Sequence, residues 1–169
     1  SSDVCSSDLQ GKSVLILDTD IGFSNIDVLM GRTAKHHLIE ALENNIPVDR
    51  LIEKSPYGFS YISGGRGFNQ LPNLSQPLVE RFVEKMNQLT NGLDYLLIDT
   101  GAGLSALDLK MMLHCDDVLV VTTPEPTSIT DAYAVIKMVS RHDTTRRFHI
   151  IVNRASKKEG VNTANNLIS

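Results

Sequence analysis

Two stretches of the chain run apolar without a break and end in carboxylates: Val14-Leu15-Ile16-Leu17-Asp18-Thr19-Asp20 and Tyr95-Leu96-Leu97-Ile98-Asp99-Thr100-Gly101-Ala102-Gly103. Runs of this length, rich in aliphatic residues, fit strands buried on both faces of a parallel sheet. Residues 118–122 and 148–152 read as further strands. Residues 51–53 and 59–63 are weaker candidates flanking a Ser55-Pro56-Tyr57-Gly58 turn. Between the strands the period changes to that of helices: Leu78, Val79, Phe82, Val83, Met86 and Leu89 predict an amphipathic helix over about residues 76–90. Shorter helices are expected over 24–30, opened by a Ser24 cap and closed near Gly31, over 37–43, and near 105–114. A longer one is expected from about 128 to 141, where Ser128-Ile129-Thr130-Asp131 approximates a capping box. Strand alternating with helix predicts an α/β fold with a doubly wound, mostly parallel sheet.

Composition changes this picture little. The 169 residues, 41% hydrophobic and 21% charged, are ordinary for one globular domain. A formal charge of −4 argues against a nucleic-acid surface, which usually needs a basic stripe. Arg146, Arg147, Arg154, Lys157 and Lys158 are read first as a solvated basic surface. No apolar run approaches the roughly 18 residues of a membrane span. Two cysteines, Cys5 and Cys115, are too few for a disulfide framework, so a reducing cytoplasm is the default. Residues 1–9 repeat Ser-Ser-Asp and show neither helix nor strand period. They resemble translated adapter sequence and are expected to be non-native, leaving residues 10–169 as the domain. The last residues look helical and uncapped, so the C-terminus is also expected to be cut.

The chemistry lies at the strand ends. In open α/β sheets ligands bind beyond the carboxyl ends of the strands. A hydrolytic nucleotide site needs one carboxylate to orient water and others to hold Mg²⁺ through its water shell. Asp20 is the candidate for the first role. Asp18 would either contact the metal shell or accept hydrogen bonds from loop backbone. Asp99 follows four apolar residues, as the magnesium-binding acid of a phosphate-loop NTPase does. Gly101 and Gly103 would offer backbone N–H groups near a terminal phosphate.

The segment from Asp18 to Gly31 (Asp-Thr-Asp-Ile-Gly-Phe-Ser-Asn-Ile-Asp-Val-Leu-Met-Gly) resembles the motif that follows the phosphate loop in MinD/ParA-type ATPases. The run from Tyr95 to Gly103 resembles their second switch. Thr123-Pro124-Glu125-Pro126-Thr127-Ser128-Ile129-Thr130-Asp131-Ala132-Tyr133 is similar to the FlhG branch, which regulates flagellar number and placement. Ile150-Ile151-Val152-Asn153-Arg154 resembles the adenine-contacting strand end. By position, the resemblance implies that Asp20 is the catalytic-water carboxylate, that Asp99 holds the magnesium shell, and that Asn153 reads adenine beside Pro124 and Glu125. Gly22, Ser24 and Asn25 fall in the first switch. The implied cofactors are ATP and Mg²⁺. The implied partners are a second copy in the ATP state, an SRP-type flagellar GTPase, and the inner membrane face through a C-terminal amphipathic helix absent from this sequence.

The family's glycine-rich phosphate loop has no counterpart here. Gly11-Lys12-Ser13 precedes a strand, whereas a phosphate loop must follow one and open a helix. The resemblance therefore implies a fragment without the first strand, phosphate loop and first helix, from which no ATPase activity is expected. A non-catalytic partner-binding regulator and a partition or division-site ATPase are the alternatives. Three features receive ordinary structural readings. His36-His37 lacks ligand spacing for zinc. Met111, Met112 and Met138 suit helix packing, and Cys115 is a small hydrophobe at a helix end. Gly64-Gly65-Arg66-Gly67 is a flexible loop rather than a phosphate cradle.

Overall fold

The computed structural model describes residues 11–44, 46–65, 76–101 and 105–168. Expectations falling on residues 1–10, Arg66, Gly67 and Gly103 lie outside these. Contacts divide the chain into two units, residues 1–108 and 109–169.

The first unit is built on β1 (Val14–Asp18), which pairs in parallel with β3 (Ser60–Ile62) on one side and β4 (Tyr95–Asp99) on the other. A short β2 (Glu53–Lys54) runs antiparallel to β3, giving the order β2-β3-β1-β4. The sheet is therefore mostly parallel, as expected. In the β1–β4 register Asp18 stands opposite Asp99. Adjacent strands lie about 4.8 Å apart, so two acids are forced together at one sheet end. The helices are α1 (Ile26–Met30), α2 (Leu38–Asn44), a 3-10 turn (Val48–Leu51) and α3 (Gln76–Leu89). Val79, Phe82, Val83 and Met86 of α3 are buried, which is the face their spacing predicts. Leu15 and Leu17 are buried in β1, and Val14 packs with Ile26, Phe59 and Tyr61.

Two local expectations fail here. Leu51 closes the 3-10 turn, so the strand expected over 51–53 shrinks to Glu53–Lys54. Ser24 does not cap α1. Asn25 occupies the cap position and makes no side-chain cap bond, and the Ser24 hydroxyl is drawn to Asp18 instead. The helix does end where expected, with Gly31 left-handed at φ 61°.

In the second unit β5 (Asp117–Thr122) and β6 (Arg147–Val152) pair in parallel, from Asp117 opposite Arg147 to Thr122 opposite Val152. Between and after them run α5 (Pro126–His142) and α6 (Lys157–Ile168). The boundary between units falls within α4 (Ala106–His114). Val118 and Val120 cluster with Ala132 of α5 and Leu167 of α6, flanked by Phe148 and Ile150.

The helix start at Ser128 is corrected. α5 begins two residues earlier with Pro126 in its first turn, where a missing N–H costs nothing. The Ser128 hydroxyl instead accepts the Thr123 amide at 3.0 Å and lies 2.9 Å from the Thr122 hydroxyl. A true capping box opens α6: the Ser156 hydroxyl donates to Glu159 Oε2 at 2.6 Å, and that carboxylate accepts the Ser156 amide at 3.0 Å. Arg146 is not part of a solvated surface. Its guanidinium donates to the Leu113 and Cys115 carbonyls at the end of α4 and to Asp143, capping that helix. Met138 is exposed rather than packed, while Met111 is buried. Cys115 is partly buried, and burial pushes its thiol pKa up.

Burial on both faces holds for β1 and fails for the other long strands. Leu119 and Val121 are 58% and 60% exposed, and Tyr95, Leu97 and Ile151 are also exposed. Each of β4, β5 and β6 has one paired neighbour among the described residues, so alternate side chains look outward. This sets a pair of expectations. Leu17→Ala, at a fully buried site, should cost about 3 kcal/mol. Leu119→Ala should stay within about 0.5 kcal/mol. Urea unfolding of both variants measures the contrast.

Candidate functional site

The loop leaving β1 is organised by one buried carboxylate. Asp18 Oδ1 accepts the Asp20 amide at 3.0 Å. Its Oδ2 accepts the Ser24 hydroxyl at 2.6 Å and the Asn25 and Ile26 amides at 3.2 and 3.4 Å. The anion thereby takes over the first free N–H groups of α1, where negative charge is favoured. Of the two readings for Asp18, hydrogen bonding to loop backbone is what the geometry shows.

Two further strands close on this loop. The Thr19 amide donates to the Asp99 carbonyl at 2.8 Å, and its hydroxyl lies within reach of that carbonyl and of Asp108 Oδ1. Asp108 is itself buried and accepts the Ser105 hydroxyl at 2.6 Å and the Ser105 amide at 3.1 Å. Sequence reading missed Asp108, although Ser105-x-x-Asp108 has the spacing of a helix cap. From the other side, the Gly22 amide donates to the Gly65 carbonyl at 3.0 Å, with Gly22 held at φ 88°. A Cβ on Gly64 would sit 2.9 Å from the Asp18 carbonyl oxygen, and one on Gly101 would sit 2.9 Å from Asp20 Oδ1. Both glycines are therefore places where backbone and the acid loop touch. The role of Gly64 and Gly65 was not visible in sequence, because their contacts are long-range.

The resulting charge distribution is one-sided. Burial, then Asp18, then Asp108, push the Asp20 carboxyl pKa above its usual range. Burial, then Asp18 and Asp20, do the same for Asp99. Among the described residues no three His, Cys, Asp or Glu side chains are arranged to hold a metal directly. A hard cation kept in its water shell needs only one or two carboxylates. The crowded acids suit such an ion, with Asp99 the more open of them.

In the second unit, Pro124 and Glu125 lie between β5 and α5, with Glu125 at the helix cap position. The Asn153 amide N–H donates to the Thr122 carbonyl at 2.8 Å, so Asn153 sits just past the paired ends of β5 and β6. Its Oδ1 accepts the Arg154 amide at 2.9 Å, and Arg154 adopts a left-handed φ of 53°, rare for a residue with a side chain. That bond uses one oxygen of the amide; the side-chain NH₂ supplies two donors. Thus Asp18, Asp20, Gly22, Asp99 and Gly101 come together in the first unit, and Pro124, Glu125 and Asn153 neighbour one another along the second.

The family model described as ParA, NUBPL iron-transfer P-loop NTPase, matches residues 5–157. Antiactivator FleN of Pseudomonas aeruginosa is 33% identical over 153 residues, covering 90% of this chain and 55% of the relative. Flagellum site-determining protein YlxH of Helicobacter pylori is 35% identical over 153 residues, covering 89% and 51%. The chain thus spans about half the length of the curated relatives it matches. Among solved structures, the septum site-determining protein MinD complexed with Mg-ADP from Pyrococcus horikoshii superposes with a TM-score of 0.77. That match has 18% identity and covers 94% of this chain and 68% of that one.

Two tests follow from the geometry. Gly64→Ala should cost about 1–3 kcal/mol, because the obstructing atoms are backbone and cannot rotate away. Asp20→Asn should stabilise the protein at neutral pH, raising Tm. The raised folded pKa means that the native state binds its proton first on acidification. The repulsion is fully present above that pKa and is relieved as pH falls through it. The gain from Asp20→Asn should therefore vanish below the unfolded value of 3.8. Thermal melts between pH 3 and 7 check the sign.

Proposed function

The chain belongs to the ParA/MinD family of P-loop NTPases, and from that premise we propose that it carries part of an ATP-dependent switch controlling flagellar number and placement. The observation that carries the reading is the meeting of Asp20, Asp99 and the Gly101 backbone around the end of β1. Asp20 is assigned to orient the attacking water. Asp99 is assigned to the water shell of Mg²⁺, with Asp18 holding the loop that presents Asp20. Asn153, beside Pro124 and Glu125, is assigned to the adenine edge, where its amide offers both donor and acceptor.

Bound magnesium nucleotide would supply the positive charge that the acids lack and the phosphate whose transfer they serve. Support comes from the P. horikoshii relative of the same fold, described with Mg-ADP. The flagellar assignment is supported by YlxH, named as a flagellum site-determining protein, beside FleN, named as an antiactivator, both above 30% identity. In the whole protein we propose a homodimer formed in the ATP state, an SRP-type flagellar GTPase as partner, and a cytoplasmic location with peripheral attachment to the inner membrane face. No helix among the described residues is long and apolar enough to cross a membrane.

Gly11-Lys12-Ser13 leads into β1 rather than following a strand and opening a helix, so it is not assigned to the phosphates. The expected result is no measurable ATPase activity from this chain. Calorimetry with Mg-ATP should show binding only when a phosphate-loop segment is supplied upstream of Gln10. Asn153→Ala in that extended protein should weaken ATP about tenfold and GTP little, by loss of one directed base contact. No nucleotide binding in either form would overturn the reading and favour a partner-binding regulator.

A further inference from the structure

Ser63, at the end of β3, is fully buried and ties together segments far apart in the chain. Its hydroxyl donates to Asp27 Oδ2 in α1 at 2.7 Å, accepts the Gly65 amide at 3.3 Å and lies 3.1 Å from the Ser24 hydroxyl. Its carbonyl accepts the Leu38 amide at 2.8 Å, where α2 begins. Ser24 in turn donates to Asp18 Oδ2 at 2.6 Å. A hydroxyl has one proton, so its direction matters. Asp27 is buried, and its Oδ1 has no hydrogen-bond partner. Turning the Ser63 proton toward Ser24 would strip Oδ2 as well and leave a buried carboxylate bare, which is costly. Asp27 therefore pins the Ser63 proton, and the oxygen of Ser63 stays fixed against Ser24 and Gly65.

We propose that Ser63 is a positioning residue for Asp20, clasping the 18–25 loop to the end of β3 so that Ser63, Gly64 and Gly65 form a third side of the site. Gly65 holds the Gly22 amide, and Gly64 lies against the backbone of Asp18 and Asp20 with no space for a Cβ. Ser63 thus reaches Asp20 through Gly65 and Gly22, which carry hydrogen bonds into the loop, whereas its contact with Ser24 is one of packing, since the two hydroxyl protons are given to Asp27 and Asp18. This rests on the reading of Asp20 as a site acid. The clasp itself is testable without nucleotide, so its failure and that of the nucleotide reading are distinguishable.

The test is amide hydrogen exchange on the 169-residue chain. In Ser63→Ala, the Gly22 and Gly65 amides should exchange about tenfold faster, the loss expected for a buried hydrogen-bond hub. The amides of β1 should keep their parent rates. Ser63→Thr, which retains the hydroxyl, should retain slow exchange in the loop. Equal acceleration throughout the first unit, unchanged loop rates, or a Thr variant as fast as Ala would each overturn the role. If Ser63→Ala does not fold, the parent chain decides. Its Ser63 hydroxyl proton should give a slowly exchanging NMR signal, and free exchange of that proton would overturn the clasp.

Discussion

The Asp18 carboxylate is the interaction on which the first unit turns. Four donors within eight residues of it point at its two oxygens, and without them the chain leaving β1 has no reason to fold back into α1. A five-residue helix is too short to stand by its own hydrogen bonds. It forms because an anion at its start collects the orphaned N–H groups and because Ile26 is buried against β1. The same anion sits opposite Asp99 across the sheet and raises the pKa of both neighbouring acids. Organising the loop and charging the site are thus one act by one side chain.

The sequence was most legible where the physics is local or periodic. The 3.6-residue spacing of Val79, Phe82, Val83 and Met86 located α3, and the apolar runs located β1, β4, β5 and β6. Acids at the ends of β1 and β4 were legible as a pair because parallel strands bring their carboxyl ends to the same edge. Caps were less legible. Ser24 and Ser128 both had the right residue type, yet longer-range acceptors or donors claimed their hydroxyls: Asp18 for one, the Thr123 amide for the other. Gly64, Ser63 and Asp108 escaped because their partners lie 40 to 90 positions away, and no spacing rule reports a contact of that kind.

The exposed apolar faces carry a related lesson. An uninterrupted run such as Leu119-Val120-Val121 encodes burial on both sides, but it does not encode what does the burying. In β1 both flanking strands are among the described residues, and every position except Ile16 is buried. In β5 one neighbour is present and alternate residues are exposed. The composition of β5 matches a strand in the middle of a sheet, whereas its described surroundings match an edge. FleN and YlxH are about twice as long as the region they share with this chain, so what covers such a strand in them has room to lie outside the shared span.

Crowding acids against one another is poor design for stability alone. Asp18, Asp20, Asp99 and Asp108 lie around one loop, and for two of them the fold itself disfavours the charged state. A core selected only for stability would replace one with an amide at little cost in shape. The left-handed Arg154 beside Asn153 is a second local cost, incurred where a neutral residue order would have allowed glycine. Both costs fall at the carboxyl ends of parallel strands. Like-charge repulsion of the kind seen around Asp20 is the kind that a cation relieves. In each unit the cost falls where a parallel strand ends, which is where an open α/β sheet offers its residues to a ligand.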